Sequence, residues 1–204
     1  MRHWRGNIPR PGRRSGRTNL LWQPAYLAFV GVHFGGVLAD LSTMSQHCAG
    51  IHADGYRIAG YPIAGLSENE MIAQAGAQLR SLADDLLLEI NAIARLKRVP
   101  ALRLLADRML GLVTFAQRKR PELASATLHG WCERWLAAMD LTGQGALDSI
   151  MLADGCEALI IARKGCCLDY LIEPRVYCAS CPKQPDDLRL KHQRAETEAL
   201  MRAD

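Results

Sequence analysis

Residues 67–97 read SENEMIAQAGAQLRSLADDLLLEINAIARLK. The spacing of their apolar side chains sets the architecture of the chain. Ser67 and Glu70 form a capping box, in which each side chain satisfies an orphan amide at a helix start. Ile72, Ala75, Leu79, Leu82, Leu86, Ile90 and Ile93 then recur in steps of three and four, the period of a buried helical stripe. Arg80, Asp84, Asp85 and Glu89 fall on other faces. The pattern predicts one long amphipathic helix ending near Lys97, before Pro100.

The same reading extends outward. Pro100 suits the first turn of a second helix, where its missing amide costs nothing. Leu102, Leu105, Met109, Leu112 and Val113 give that helix its buried side. Pro121 opens a third helix, with Leu128, Trp131, Trp135 and Met139 on one face and a stop at Gly143 and Gly145. Three antiparallel helices joined by short connections make the main core. Residues 20–63 show weak periodicity, with Gly31, Gly35, Gly36 and Gly60 scattered through mixed structure, and 56–63 read as a short strand or loop. Residues 158–163 and 168–172 read as two short strands around a turn at Gly165. From Asp186 onward, alternating charge signs predict a solvated helix.

The expected fold is therefore α+β and predominantly helical. An antiparallel helical core carries a small C-terminal β-hairpin or loop that holds a group of cysteines. Four segments follow: a disordered arginine-rich tail at 1–18, a mainly helical core at 19–157, a cysteine-bearing segment at 158–185, and a C-terminal helix at 186–204.

Half of the 204 residues are hydrophobic and about a quarter are charged, which fits a globular domain and excludes a disordered chain. The net charge of +4 is concentrated at one end. Arg2, Arg5, Arg10, Arg13, Arg14 and Arg17 sit in a stretch without a single acid, broken by Pro9 and Pro11. Such a tail cannot bury apolar area. It is read as a flexible terminus whose secondary role would be peripheral contact with anionic lipid at the inner membrane, and no nucleic-acid partner is expected. Arg13-Arg14 ahead of the apolar stretch 20–41 resembles a twin-arginine export signal. Gln23, Pro24 and His33 interrupt that stretch, so it is read as a buried part of the fold, and the expected location is cytoplasmic.

The chemistry lies near the C-terminus. Cys166 and Cys167 are adjacent, and Cys178 and Cys181 follow after ten intervening residues in the pattern C-C-x10-C-x2-C. Four thiolates on one short loop suffice for a metal centre. A structural zinc site usually draws on two C-x-x-C-type pairs around one ion. Neighbouring residues of an extended chain point to opposite faces, so vicinal cysteines do not easily grip one small ion. A [2Fe–2S] cluster has two irons, each needing two protein ligands. One vicinal cysteine then serves each iron, or the turn at Gly165 swings both toward one; the sequence leaves this open. Seven cysteines make an odd number, and the chain is large enough to bury a core without staples, which disfavours a disulfide framework.

The spacing, with the apolar run before it and Pro182 after it (residues 159–182), resembles the C-terminal segment of FhuF-type ferric-siderophore reductases. That resemblance implies a [2Fe–2S] cluster as cofactor with Cys166, Cys167, Cys178 and Cys181 as its ligands. It implies one-electron reduction of Fe(III) to Fe(II) in a bound siderophore, with no catalytic residue beyond the cluster. The alternatives are a zinc-stabilised interaction module without enzymatic activity and a simple [2Fe–2S] electron carrier. No G-x-G-x-x-G follows a predicted strand and no P-loop is present, so electrons are expected from a separate donor protein, a ferredoxin or flavoprotein reductase. Arg163, Lys164, Arg175 and Lys183 flank the cysteines and suit an anionic iron complex or an acidic donor. Tyr170, Tyr177 and the tryptophans of the third helix are candidates for the substrate side, with nothing in the sequence to place them there.

Cys48, Cys132 and Cys156 lack ligand spacing and are read as packing residues. His47, Cys48 and His52 lack a fourth neighbour and are not read as a metal site. His129 is read as a partly buried structural histidine, and the run Gly143-Gln144-Gly145 as a helix terminator.

Overall fold

The computed structural model describes residues 16–49, 52–171 and 176–203. The first fifteen residues, most of the arginine tail, lie outside them, as does Arg175. The order along the chain is α1 (Gly16–Val30), β1 (Ser45–Ala49), β2 (His52–Arg57), α2 (Glu68–Asn91), α3 (Arg98–Lys119), α4 (Ser125–Ala138), β3 (Gly145–Met151), β4 (Glu157–Arg163) and α5 (Asp186–Ala203). The α+β, predominantly helical expectation holds. Each strand pair is a separate two-stranded antiparallel sheet, β1 with β2 and β3 with β4.

The three central helices form as the periodicity requires. The Ser67–Glu70 capping box closes at the start of α2, with Glu70 N donating to Ser67 Oγ at 3.3 Å and Ser67 N to Glu70 Oε2 at 2.8 Å. Ile72, Ala75, Leu79, Leu86 and Ile90 are buried along its inner face. The helix stops at Asn91 rather than near Lys97. Asn91 Nδ2 donates to the carbonyl of Leu87 at 2.8 Å, while its Oδ1 accepts from Leu96 N at 2.9 Å. One amide side chain thus ties the helix end to the following loop, and Ile93 is left 57% exposed. In α3, Leu105, Met109 and Val113 are fully buried; in α4, Leu128 and Trp135 are, as is Met139 at its C-cap. Pro121 does not open α4. It lies in a turn ahead of the helix, which begins four residues later at Ser125.

Arg80 on α2 donates to the carbonyls of Met139 at 2.9 Å and Asp140 at 3.1 Å, capping the C-terminus of α4 with a cation. The two helices meet at Gly76. A Cβ at that position would collide with the Cβ of Ala138 and stand 2.9 Å from its carbonyl carbon. Backbone, unlike a side-chain tip, cannot swing away. Gly76→Leu is therefore expected to cost about 2–3 kcal/mol, read as a lower urea midpoint at unchanged slope.

Residues 20–63 are mixed structure, as expected, and open on a helix: α1 buries Leu20, Ala25, Ala28 and Phe29, and β1 and β2 follow it. Helix α1 ends in a π turn, Gly31–Gly35, closed by Gly36 at φ 62°, a left-handed position suited to glycine. That wide turn places His33 in the core and leaves Phe34 42% exposed.

The predicted C-terminal strand pairing is corrected. Strand β4 pairs with β3, from Gly145↔Arg163 to Met151↔Glu157, and not with the described residues 168–171. Beyond Gly165 the chain cannot run back as a strand: Leu168 has φ 67° and Asp169–Leu171 form a 3₁₀ turn. The Gly143-Gln144-Gly145 run leads directly into β3.

Candidate metal centre

The cysteines sit on the loop that leaves β4, and α3 holds that loop in place. Gly165 is buried against α3, where a Cβ would lie 2.9 Å from Arg103 Cβ. Arg103 spans the junction: Nε donates to Gln144 Oε1 at 3.0 Å and Nη1 to the carbonyl of Lys164 at 3.2 Å. Lys164 Nζ donates to the carbonyl of Gly143 at 2.7 Å. The strand end, the β3 entry and the helix are thus joined immediately before Cys166.

The second pair is held by its own turn. Cys181 N donates to the carbonyl of Cys178 at 2.9 Å, folding C-x-x-C into one turn. Gln184, buried to 5% exposure, donates Nε2–H to the carbonyl of Cys178 at 2.8 Å and to that of Ala179 at 3.3 Å. Its Oε1 lies 2.6 Å from His192 Nδ1 on α5. Gln184 and His192 were not singled out in the sequence; a glutamine three residues past the last cysteine carries no motif.

The sulfurs meet in two nested pairs. Cys166 Sγ lies 3.8 Å from Cys181 Sγ, and Cys167 and Cys178 are the other two sulfurs that act directly on each other. Two thiolates on one tetrahedral metal with bonds of about 2.3 Å stand about 3.8 Å apart, so the Cys166–Cys181 spacing fits two ligands of a single metal ion. Among the described residues no three His, Cys, Asp or Glu side chains gather around one point. The arrangement is two pairs, with the vicinal cysteines divided between them.

Charge around the pairs is asymmetric. Arg163, its side chain 13% exposed, donates Nε–H to Asp107 Oδ2 at 2.8 Å and Nη1–H to Cys178 Sγ at 3.4 Å. The hydrogen bond with Cys178 brings the Cys167 thiol down to about 6, and the same bond pushes Cys178 well up. Burial raises Cys166, whose sulfur accepts from Leu168 N at 3.4 Å. Asp107 is also raised, burial outweighing its arginine partner, and its Oδ1 has no hydrogen-bond partner.

Of the other flanking cations, Lys183 lies over the Tyr170 ring at 5.6 Å. Tyr170 and Tyr177 pack together with ring centroids 4.9 Å apart. Trp131 and Trp135 are buried in the helical core and line no substrate surface. Cys132 is buried as expected and its thiol is pushed up to about 11 by burial. Cys156 is exposed, since it lies at the tip of the β3–β4 hairpin rather than in the core. The side chains of Cys48 and His52 lie outside the described residues. His129 is exposed. Among the described residues the buried histidine is His33, which in the sequence figures only as an interruption of an apolar run.

A family model for the FhuF 2Fe-2S C-terminal domain matches residues 163–183. No solved structure matches the chain. The matched segment begins at Arg163 and contains all four paired cysteines, so the loop on α3 is a [2Fe–2S] domain of that type. Among the described residues, no helix is long and apolar enough to cross a membrane.

Proposed function

We propose that this protein is a ferric-siderophore reductase that releases iron by one-electron reduction of Fe(III) to Fe(II). Cys166 with Cys181 hold one iron of its [2Fe–2S] cluster and Cys167 with Cys178 the other. The observation that carries this reading is the nested sulfur pairing, found inside the segment that the 2Fe-2S family model matches.

A bound [2Fe–2S] cluster supplies a one-electron couple whose potential follows ligand charge, hydrogen bonds to sulfur and exposure. The chain's own residues set those terms. Arg163 places a cation and an N–H on the Cys178 sulfur, which favours the more negative, reduced state. Asp107 fixes the arginine and offsets part of its charge. Cys181 is 1% exposed while Cys166 and Cys167 are half-buried, so one edge of the site is open to a partner. Hard oxygen chelators hold Fe(III) far better than Fe(II), so a single electron loosens the substrate. No general acid or nucleophile is required. The electron comes from a separate ferredoxin or flavoprotein in the cytoplasm, in keeping with a thiolate-ligated centre.

Protein purified without oxygen should be red-brown, with two irons and two acid-labile sulfides per chain. Once reduced with dithionite, it should be reoxidised by a ferric siderophore as Fe(II) appears on a ferrous-specific chelator. Colourless protein with stoichiometric zinc would reject the reading. A coloured protein that no ferric chelate in a panel reoxidises would be a simple electron carrier instead.

A further inference from the structure

A cleft of about 390 Å³ opens beside the cysteine loop, between α1 and α3. Two of its lining residues connect it directly to the metal centre: Arg163, which bonds the Cys178 sulfur, and Ser180, inside the C-x-x-C turn. Its outer part is aromatic. Trp22 and Tyr26, one turn apart on α1, are 37% and 39% exposed, and Phe115 faces them from α3. The ring centroids of Trp22 and Tyr26 lie 6.3 Å apart, as do those of Tyr26 and Phe115, with planes inclined at 59° and 56°. Rings tilted in this way leave faces free for a further aromatic group.

The inner part is cationic and incompletely paired. Arg108 and Arg163 both line it, against the single carboxylate of Asp107. Arg163 takes that carboxylate at 2.8 Å. Arg108 is half-buried and makes no ion pair among the described residues. Asp107 attracts Arg108 too, without an ion pair, so one carboxylate serves two partly desolvated guanidiniums and the wall keeps a net positive charge, which an anion would offset. Asp107 Oδ1, on the same wall, is buried and lacks a donor. The cleft therefore combines aromatic faces with an excess positive charge, and Arg163 and Ser180 join it to the cysteine loop.

We propose that this cleft binds an anionic aromatic iron chelate of the tris-catecholate type, seating a catecholate ring among Trp22, Tyr26 and Phe115 with its charge toward Arg108 and Arg163. The inference deepens the reductase reading and rests on it for the identity of the ligand as an iron complex. A ferric tris-catecholate carries a triple negative charge and presents aryl faces, matching both halves of the cleft. A ferric trihydroxamate is uncharged and has no ring to stack, so it matches neither. Guanidinium over arene and ring against ring add to the charge attraction in the same pose.

The test is binding to the full-length protein, with no electron transferred. A redox-inert gallium(III) tris-catecholamide is titrated against tryptophan fluorescence and by equilibrium dialysis, beside the gallium(III) complex of an uncharged trihydroxamate. The catecholate should bind at least about tenfold tighter, and Trp22→Ala and Arg108→Gln should each weaken it about tenfold. Both sites are partly exposed, and an unchanged melting temperature verifies that the variants fold. Equal affinity for the two complexes, variants that bind like the parent, or flavin mononucleotide displacing the catecholate at comparable concentration would each overturn the assignment. Selective binding by a colourless, zinc-loaded protein would uphold the cleft and remove the reductase reading. An iron–sulfur protein without selectivity would do the opposite.

Discussion

Serine in place of any one of the four cysteines should remove most of the pigment from aerobically purified protein, and the traces retained under anaerobic isolation should sort into two spectroscopic pairs. Cys166→Ser and Cys181→Ser belong to one pair; Cys167→Ser and Cys178→Ser belong to the other. The sorting follows from the sulfur pairs, 3.8 Å between Cys166 and Cys181 and the mutual interaction of Cys167 with Cys178. An alkoxide is a harder ligand than a thiolate and favours Fe(III) at the iron it binds. With the ligation proposed above, an iron on the Cys178 side would lie beside the Arg163 hydrogen bond and would be the favoured ferrous site of the reduced state. Oxygen ligation on the Cys166–Cys181 side then leaves the extra electron where it already sits. Oxygen ligation on the Cys167–Cys178 side opposes it, so these two variants should show the larger fall in potential and a displaced ferrous signal. Mössbauer spectra of dithionite-reduced, ⁵⁷Fe-enriched protein read the localisation directly. A common signature for Cys166→Ser and Cys167→Ser would mean that the vicinal cysteines share an iron, and the nested pairing would be wrong.

The metal-binding segment was legible because its information is local: four cysteines within sixteen residues need no knowledge of the fold. What positions it was not legible. Asp107 lies fifty-six residues from the arginine it anchors, and nothing in a helical stripe marks one buried carboxylate as part of a site. The long helices were readable for a related reason. The steps from Ile72 to Ile90 repeat over five turns, and tertiary packing reinforces a pattern that local propensity already favours. Strand β3 was missed because GALDSIM has no clean alternation; its burial varies irregularly along a strand paired on one side only. Its first residue, Gly145, lies inside the strand, where a side chain would meet the tip of Leu110, and not at a helix stop. Gly165 was misread in the same manner. It looks like a hairpin turn, yet the buried approach to Arg103 is what requires it.

His33 should make this protein lose stability between about pH 6.5 and pH 4, by about 3 kcal/mol in total, beyond whatever the carboxylates contribute. Its side chain is fully buried. Nε2 accepts from Trp135 Nε1–H at 2.8 Å, which leaves the proton on Nδ1, facing Glu68 Oε2 at 3.2 Å. The ring stacks on Trp131 with centroids 3.7 Å apart. A second proton would have to go to Nε2, where it would confront the indole N–H and forfeit that hydrogen bond. Burial is the main force holding the folded-state value down to about 4 from 6.5; Glu68 opposes it, while Arg134 and Arg120 assist. The unfolded chain takes up the proton near 6.5 and the folded one only near 4, so within that window the unfolded state binds more protons. Stability therefore falls as pH falls, and below pH 4 this contribution is exhausted. Urea unfolding midpoints measured across the window give the slope. His33→Gln, neutral throughout, should start less stable but vary less with pH, and Trp135→Phe should reduce the slope by removing the donor that Nε2 must keep. Parent and both variants falling with one common slope would show that the buried imidazole does not titrate as its surroundings require.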